Sequence, residues 1–241
     1  MPGFIDLHCH WVADIDDGVR SVEEGAELLQ RLRKIGFEKV VATPHMRPGL
    51  FDNDRASIQA AYERMKTSLE GTPNLPALDL SSEHYFDDVV FDRLMAGEAL
   101  PYPGGRAVLV EFHGHNMPAR VADRFFDLRR KGLRPVLAHP ERYSPVWKRP
   151  EMMEDYVDRG TVLLMDVAAL AGKYGRATRK CAEQLVDAGL YYAVCSDAHR
   201  PKDVDEVAEG IAVLRRMVGN EEADFLLIDG PKAVLDGKVD L

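Results

Sequence analysis

His8 and His10, in FIDLHCH, are separated by one residue. In an extended strand such residues share a face, so both imidazoles can hold one ion while Cys9 points the other way. Asp197 and His199, in CSDAH, repeat the spacing. Between these pairs, further metal-type side chains close one apolar run after another. His45 follows KVVATP, Glu83 ends ALDLSSE, Glu111 sits near the end of RAVLVEF, His139 ends RPVLAH and Asp166 falls in TVLLMDV. A lone histidine after a strand is usually a hydrogen-bonded loop residue, and a strand-end aspartate is often a helix cap. The same placement after run upon run of one chain is not explained that way. The donors are imidazole and carboxylate without thiolate, which suits manganese, iron or zinc in a hydrolytic centre and disfavours a closed structural zinc site. There are more donors than one ion needs, so two or three divalent ions are implied.

Cysteine chemistry is the competing reading of FIDLHCH. A thiol phosphatase places an arginine six positions after its cysteine, in a loop that cradles phosphate. Six positions after Cys9, Cys181 and Cys195 stand Ile15, Asp187 and Pro201. Cys9 and Cys195 lie within predicted strands, where a cysteine is usually a small core residue. An odd number of cysteines, behind an N-terminus without a basic region and apolar run, points to a reducing, cytoplasmic setting.

The elements that must position these side chains form a repeating pattern. Seven short apolar runs (4–8, 39–43, 77–83, 106–112, 134–139, 161–167 and 191–196) alternate with stretches of helical periodicity. In the clearest of these, Ser21 and Glu24 have capping-box spacing, Ala26, Leu29, Leu32 and Ile35 trace an apolar stripe, and Gly36 follows as a stop. Leu185, Ala188 and Gly189 close a second helix in the same way. Alternating strand and helix implies parallel strands with right-handed crossovers. Seven repeats fit a closed or nearly closed barrel better than an open sheet, with polar strand ends converging on one site. The 241 residues suit a single α/β domain over 1–241. No apolar run reaches membrane-spanning length. A formal charge of −9 argues against nucleic acid or anionic membranes as partners.

FIDLHCH, DIDDGVRSVEE, VVATPHMRPGLF, SSEHYF, VLVEF, LAHPERY and CSDAH, in this order over residues 4–199, resemble the polymerase-and-histidinol-phosphatase (PHP) superfamily. More closely they are similar to its bacterial manganese-dependent protein-tyrosine phosphatases of capsule and exopolysaccharide operons. The resemblance implies a distorted seven-stranded (β/α)7 TIM-like barrel and two or three divalent metals, manganese foremost, with iron or zinc as alternatives. It implies that His8, His10, Glu83 and Asp197 hold one ion, that Glu83 bridges to a second held by Glu111 and His139, and that Asp17, His45 and His199 hold the third. Asp16 competes with Asp17 for the last assignment. His84 departs from the family pattern, and strand alternation turns it away from the site. His113 and His115 are additional, and are expected to contact substrate or solvent. Asp166 is expected to orient a ligand histidine.

Such a centre implies phosphomonoester hydrolysis by in-line attack of a metal-activated hydroxide. Arg142, in HPER, is the first choice for a catalytic phosphate clamp because a guanidinium binds two oxygens at once. Arg47 and Arg200 are further phosphate-binding candidates. The expected substrate is a phosphotyrosine protein, a bacterial tyrosine kinase. A PHP phosphoesterase acting on a small molecule such as histidinol phosphate is the alternative, and a non-catalytic interaction module the third reading.

Overall fold

The computed structural model describes residues 3–239. Its strands are β1 (Phe4–Cys9), β2 (Phe37–Ala42), β3 (His45–Met46), β4 (Ala77–Leu80), β5 (Glu83–Tyr85), β6 (Ala107–Glu111), β7 (Arg134–Ala138), β8 (Val162–Asp166) and β9 (Ala193–Cys195). They form two sheets, of order β1-β2-β4 and β3-β5-β6-β7-β8-β9. Every strand pairing within them is parallel.

Nine strands stand where seven were expected, because the third run is broken at Ser81–Ser82 and a short strand, β3, forms beyond the second run (39–43), across Thr43–Pro44. Proline has no N–H to give to a ladder and restricts the residue before it, so β3 restarts beyond it, with His45 paired to Glu83. Hydrogen bonds still run across the breaks. Thr43 N donates to Cys9 O (3.0 Å), Ser81 N to Ala42 O (2.8 Å) and Glu83 N to Pro44 O (3.1 Å). At the other side, Asp197 N donates to His8 O (2.9 Å) and His10 N to Ala198 O (3.0 Å).

The principal helices are α1 (Val22–Lys34), α2 (Arg55–Ser68), α3 (Asp88–Ala96), α4 (Val121–Arg130), α5 (Ser144–Lys148), α6 (Met152–Asp158), α7 (Ala168–Ala171), α8 (Arg176–Asp187), α9 (Asp203–Asp224) and α10 (Gly230–Asp236). No described helix is long and apolar enough to cross a membrane. At α1, Ser21 Oγ accepts from Glu24 N as expected, but the Glu24 carboxylate reaches back to Arg20 N rather than to Ser21. Gly36, at φ 116°, takes a backbone conformation that other residues rarely adopt.

Strand alternation divides the core and aims the site. Leu109, Val136, Ala138, Val162, Leu164, Ala193 and Cys195 pack with Leu7 and Val41 in one small apolar cluster. The intervening Val108, Val110, Leu137, Leu163, Met165 and Val194 join the larger cluster that includes the helices. Glu111, Asp166 and Asp197 continue the first parity past Leu109, Leu164 and Cys195, so the small cluster lies below the polar strand ends. All three cysteines are buried and unpaired, and burial pushes each thiol up, which removes the thiolate a cysteine nucleophile requires.

Candidate metal centre

The C-terminal ends of the strands converge on Glu83. Its Oε2 lies 3.1 Å from His8 Nε2, 3.5 Å from His10 Nε2 and 3.1 Å from His45 Nδ1. Its Oε1 lies 3.1 Å from His139 Nε2. Asp197 Oδ1 approaches His8 Nε2 (3.3 Å) and His10 Nε2 (3.5 Å), and those two nitrogens face each other at 3.1 Å. Four groups of donor atoms are each compact enough for one ion: His8, His10 and Asp197; His8, Glu83 and His139; His45, Glu83 and Glu111; and His10, Asp17, His45 and His199. Seven of the nine expected ligands are buried; His199 is 25 % and Asp17 56 % exposed. Glu111 meets Glu83 through His45 rather than through His139.

The two aspartates of the DDG turn separate by burial and by partner. Asp16 Oδ2 accepts from His10 Nδ1 (2.8 Å) and from His45 N (3.1 Å), while its Oδ1 accepts from Gly18 N (2.8 Å). With Nδ1 committed as a donor, His10 turns its Nε2 lone pair to the cluster, the arrangement by which a carboxylate orients a ligand histidine. Asp17 Oδ1 instead stands 3.4 Å from Nε2 of both His45 and His199. His199 Nδ1 donates to Asp197 O (3.0 Å), which leaves its Nε2 free on that side.

The electrostatics of the cluster ask for positive charge. Burial alone would raise the Glu83 carboxyl, but His8 and His45 outweigh it and hold the group well below the usual carboxylate range. Asp197 is held well below that range in the same way, against burial, by His8, His199 and Arg142. Burial disfavours charge on His10 and His45, yet Asp16 lifts the first well above its ordinary value and Glu83 lifts the second to about 10. His45 Nδ1 and Glu111 Oε1 are buried 3.4 Å apart without a hydrogen bond to any partner. Convergent nitrogen and oxygen lone pairs, with buried donor atoms left unsatisfied, fit hard or borderline divalent cations.

Backbone strain falls at the same place. His139 (φ 35°) and Asp197 (φ 42°) are two of only five non-glycine residues with positive φ among the described residues. Such conformations cost about 1 kcal/mol or more and cluster at functional sites. A buried clamp holds the Asp197 turn. Asp6 accepts from Ser196 Oγ (2.5 Å), Ser196 N (2.9 Å) and His8 N (3.2 Å), and Ser196 Oγ accepts from Ala198 N (3.1 Å).

Beside the cluster lies a cavity of about 270 Å³, whose lining includes Arg47, Glu111, His113, His115, His139 and Arg142. Arg142 pairs through Nη1 with Asp197, lies 3.8 Å from Asp166 Oδ2 and covers the Tyr174 ring at 4.5 Å. Arg47 lies over Tyr85 at 4.3 Å, with Nη1 3.8 Å from Glu111 Oε1. Arg200 is turned elsewhere: its Nη1 donates to Gly18 O and to His199 O (2.9 Å), and it does not line this cavity. β6 ends at Glu111, so His113 and His115 are exposed loop residues at the rim, with His115 N donating to His113 Nδ1 (3.3 Å). Asp166 does not meet a histidine; its Oδ1 accepts from Ala168 N (2.9 Å). His84 does face away, donating from Nδ1 to Leu109 O (2.7 Å) and accepting from Leu100 N at Nε2 (3.3 Å), and burial lowers its pKa to about 4.

Residues 4–236 match the family described as Capsular polysaccharide synthesis, CpsB/CapC. The chain belongs to this family. Among its CpsB/CapC relatives, the tyrosine-protein phosphatase YwqE of Bacillus subtilis is 30 % identical over 234 residues, covering 96 % of this chain and 91 % of that protein. The tyrosine-protein phosphatase CpsB of Streptococcus pneumoniae is 24 % identical over 240 residues, covering 96 % and 98 %. A solved structure from work on YwqE and CpsB, described as unique metal-dependent tyrosine phosphatases, superposes with a TM-score of 0.90 at 26 % identity, covering 98 % of this chain and 96 % of that one. An amidohydrolase from Mycoplasma synoviae shares the fold more distantly, with a TM-score of 0.61 at 14 % identity, covering 97 % and 88 %.

Sequence reasoning did not identify Asp6, the role of Asp16 at His10, or Tyr174 beneath Arg142. Asp6 carried a signal, because it shares strand parity with His8 and His10. Tyr174 lies in the glycine-bounded loop Gly172–Gly175, where no periodicity tells which way a side chain points.

Proposed function

We propose that this CpsB/CapC chain is a cytoplasmic, metal-dependent protein-tyrosine phosphatase whose substrate is a bacterial tyrosine kinase of capsule or exopolysaccharide synthesis. The observation that carries the reading is the set of four overlapping His/Asp/Glu donor groups, with Glu83 at their centre, beside a cavity bearing Arg47 and Arg142. The framework is taken as a distorted seven-stranded barrel of PHP type. Joining β2 to β3 and β4 to β5 restores seven strands, and the hydrogen bonds of Thr43, Ser81, Glu83, Asp197 and His10 run between neighbours.

Three divalent ions, manganese foremost, are assigned to the donors. His8, His10, Glu83 and Asp197 would hold one; Glu83 and His139 a second, which Glu111 would reach from the His45 side; Asp17, His45 and His199 a third. Bound there, the ions would lower the pKa of a coordinated water to roughly 7 and offset phosphate charge. The chain's own groups do the rest. Asp16 fixes the His10 tautomer. Arg142 uses only Nη1 in its ion pairs, so its remaining N–H groups are available to clamp phosphate oxygens. Arg47 flanks the other side of the cavity, and His113 and His115 offer polar contacts to the polypeptide around the phosphotyrosine. Arg200 is given a structural part, clipping the loop at Gly18 to His199. A phenolate leaving group, of pKa about 10, needs less protonation than an alkoxide, so no dedicated general acid is required of the chain.

The test is a comparison of manganese-loaded protein on a phosphotyrosine peptide, histidinol phosphate and a phosphodiester. Highest kcat/KM on the peptide is expected; preference for either small substrate overturns the substrate assignment. Retained activity in His8→Ala/His10→Ala after metal loss overturns the metal reading.

A further inference from the structure

A second cavity, of about 550 Å³, opens at the opposite end of the strands from the metal centre. Its charged lining is Arg106, Arg129, Arg134 and Lys238 against the single carboxylate of Asp158. Arg106 immediately precedes β6, Arg134 begins β7, Gly160 lies just before β8, and Gly237–Val239 follow α10. None of the three arginines forms an ion pair among the described residues, in a chain whose net charge is −9. Arg129 Nε is buried without a hydrogen-bond partner, and Arg134 Nη1 donates only to a backbone carbonyl, Gly160 O (3.0 Å).

Arg129 and Arg134 are also held close together. A Cβ built on Gly160 would stand 3.0 Å from Arg134 Nη1 and 3.1 Å from Arg129 Nη1, so both guanidiniums crowd one glycine that leaves them room. At Gly237, also in the lining, a Cβ would meet the Arg106 stem at 2.9 Å. Arg134 N donates to Arg106 O (2.6 Å), which ties the two strand starts together. Three arginines and a lysine against one lining carboxylate leave net positive charge that an anion would offset. Guanidiniums bind phosphate in bidentate fashion, and three of them offer more paired donors than one phosphate can use. Leu133, Val157 and Val239 add an apolar wall.

We propose that this cavity binds a small molecule bearing a diphosphate, its phosphates between Arg106, Arg129 and Arg134 and its remainder against the apolar wall. The site is separate from the metal centre and independent of the phosphatase reading.

Titration calorimetry of the metal-loaded full chain with ADP, AMP and adenosine at low ionic strength tests it. ADP should saturate one site, bind at least about tenfold more tightly than AMP, and weaken as salt is raised. Arg129→Gln/Arg134→Gln should weaken ADP binding at least about tenfold while leaving phosphatase kinetics unchanged. His8→Ala/His10→Ala should leave ADP binding intact, which separates this cavity from the metal centre. Equal affinity for ADP and AMP, no saturation, an unchanged Kd in the arginine variant, or loss of binding in the histidine variant alone overturns the proposal. Should the double variant fail to fold by its melting curve, the exposed Arg106→Gln decides, with a several-fold loss of ADP affinity expected and no loss counting against the site.

Discussion

The DDG turn offers the sharpest test of the centre, because two adjacent aspartates are given opposite roles. Asp16→Ala removes the acceptor for three donors at once: His10 Nδ1, His45 N and Gly18 N. No donor to a metal is lost, but His10 becomes free to rotate and to exchange tautomers, and the protonated Nε2 tautomer cannot coordinate. Replacing a carboxylate that orients a ligand histidine typically weakens metal affinity by about 10–100-fold, or about 1.4–2.7 kcal/mol. That range agrees with the loss of one charge-assisted hydrogen bond of about 1.5–3 kcal/mol. Asp16→Asn should fall less, since an amide oxygen in the Oδ2 position still accepts from His10 and His45 and only the Gly18 bond is lost.

Asp17→Ala takes away a donor atom shared by His45 and His199, so it should lower the number of ions bound by one. The assays are metal content after gel filtration, competition with a chromophoric chelator for affinity, and kcat/KM on a phosphotyrosine peptide. Full stoichiometry with reduced affinity is expected for Asp16→Ala, and reduced stoichiometry for Asp17→Ala. The reverse pattern would refute the assignment, and unchanged binding in both would remove the turn from the centre altogether.

Arg142→Ala should lower kcat/KM by about 10–100-fold, the worth of a charge-assisted phosphate contact, with metal content unchanged; loss of metal instead would make Arg142 a support for Asp197. Glu141 gives a pH signature. It is fully buried beside Asp166 and accepts from Asp166 N (2.9 Å) and Tyr191 OH (2.8 Å). Burial and the Asp166 charge push its carboxyl up to about 8 from 4.5. A raised acid pKa favours the folded state fully below the unfolded value and loses that contribution as pH rises through the folded one. Relative to Glu141→Gln, and with metal removed from both proteins, the wild type should therefore lose melting temperature between about pH 4.5 and 8; parallel curves across that range would show that Glu141 is not held protonated. Replacing Cys9, Cys181 and Cys195 together by alanine should leave kcat within about threefold of wild type, since core truncation acts on stability rather than on the chemistry. Abolished activity at full metal content would reopen thiol catalysis.

The strands and most of the centre were legible because both follow a period. Each of the seven apolar runs overlaps at least one strand; His8, His10, Glu111, His139, Asp197 and His199 fall at or just beyond the C-terminal end of a strand, whereas His45 and Glu83 begin β3 and β5. What was not legible depends on contacts that have no period. Asp16 and Asp17 are neighbours in a loop, and only the approach of His10 Nδ1 to one of them distinguishes their tasks. Arg200 follows the last histidine and reads as a phosphate ligand until Gly18 O and His199 O are seen to take its donors. Asp166 has the parity of a site residue, but its Oδ1 accepts from Ala168 N at the α7 start and its Oδ2 lies 3.8 Å from Arg142 Nη1.

The interruptions in the sheets have a physical reason in the centre itself. A regular parallel strand aims side chains perpendicular to the sheet at fixed spacing, and the centre is built partly from residues that leave this pattern. The chain departs from regularity where convergence is needed. The break at Thr43–Pro44 lets His45 restart in register with Glu83, and the break at Ser81–Ser82 turns Glu83 inward. Left-handed backbone at His139 and Asp197 swings two more donors over the same point, and Asp6 and Ser196 hold the second of these turns with buried hydrogen bonds. Two strand breaks and two left-handed residues coincide around Glu83, as expected where function opposes the preferred backbone. The same irregularity explains why nine strands are found where seven runs were read. The two extra strands begin at His45 and Glu83, two residues that the metal assignment uses.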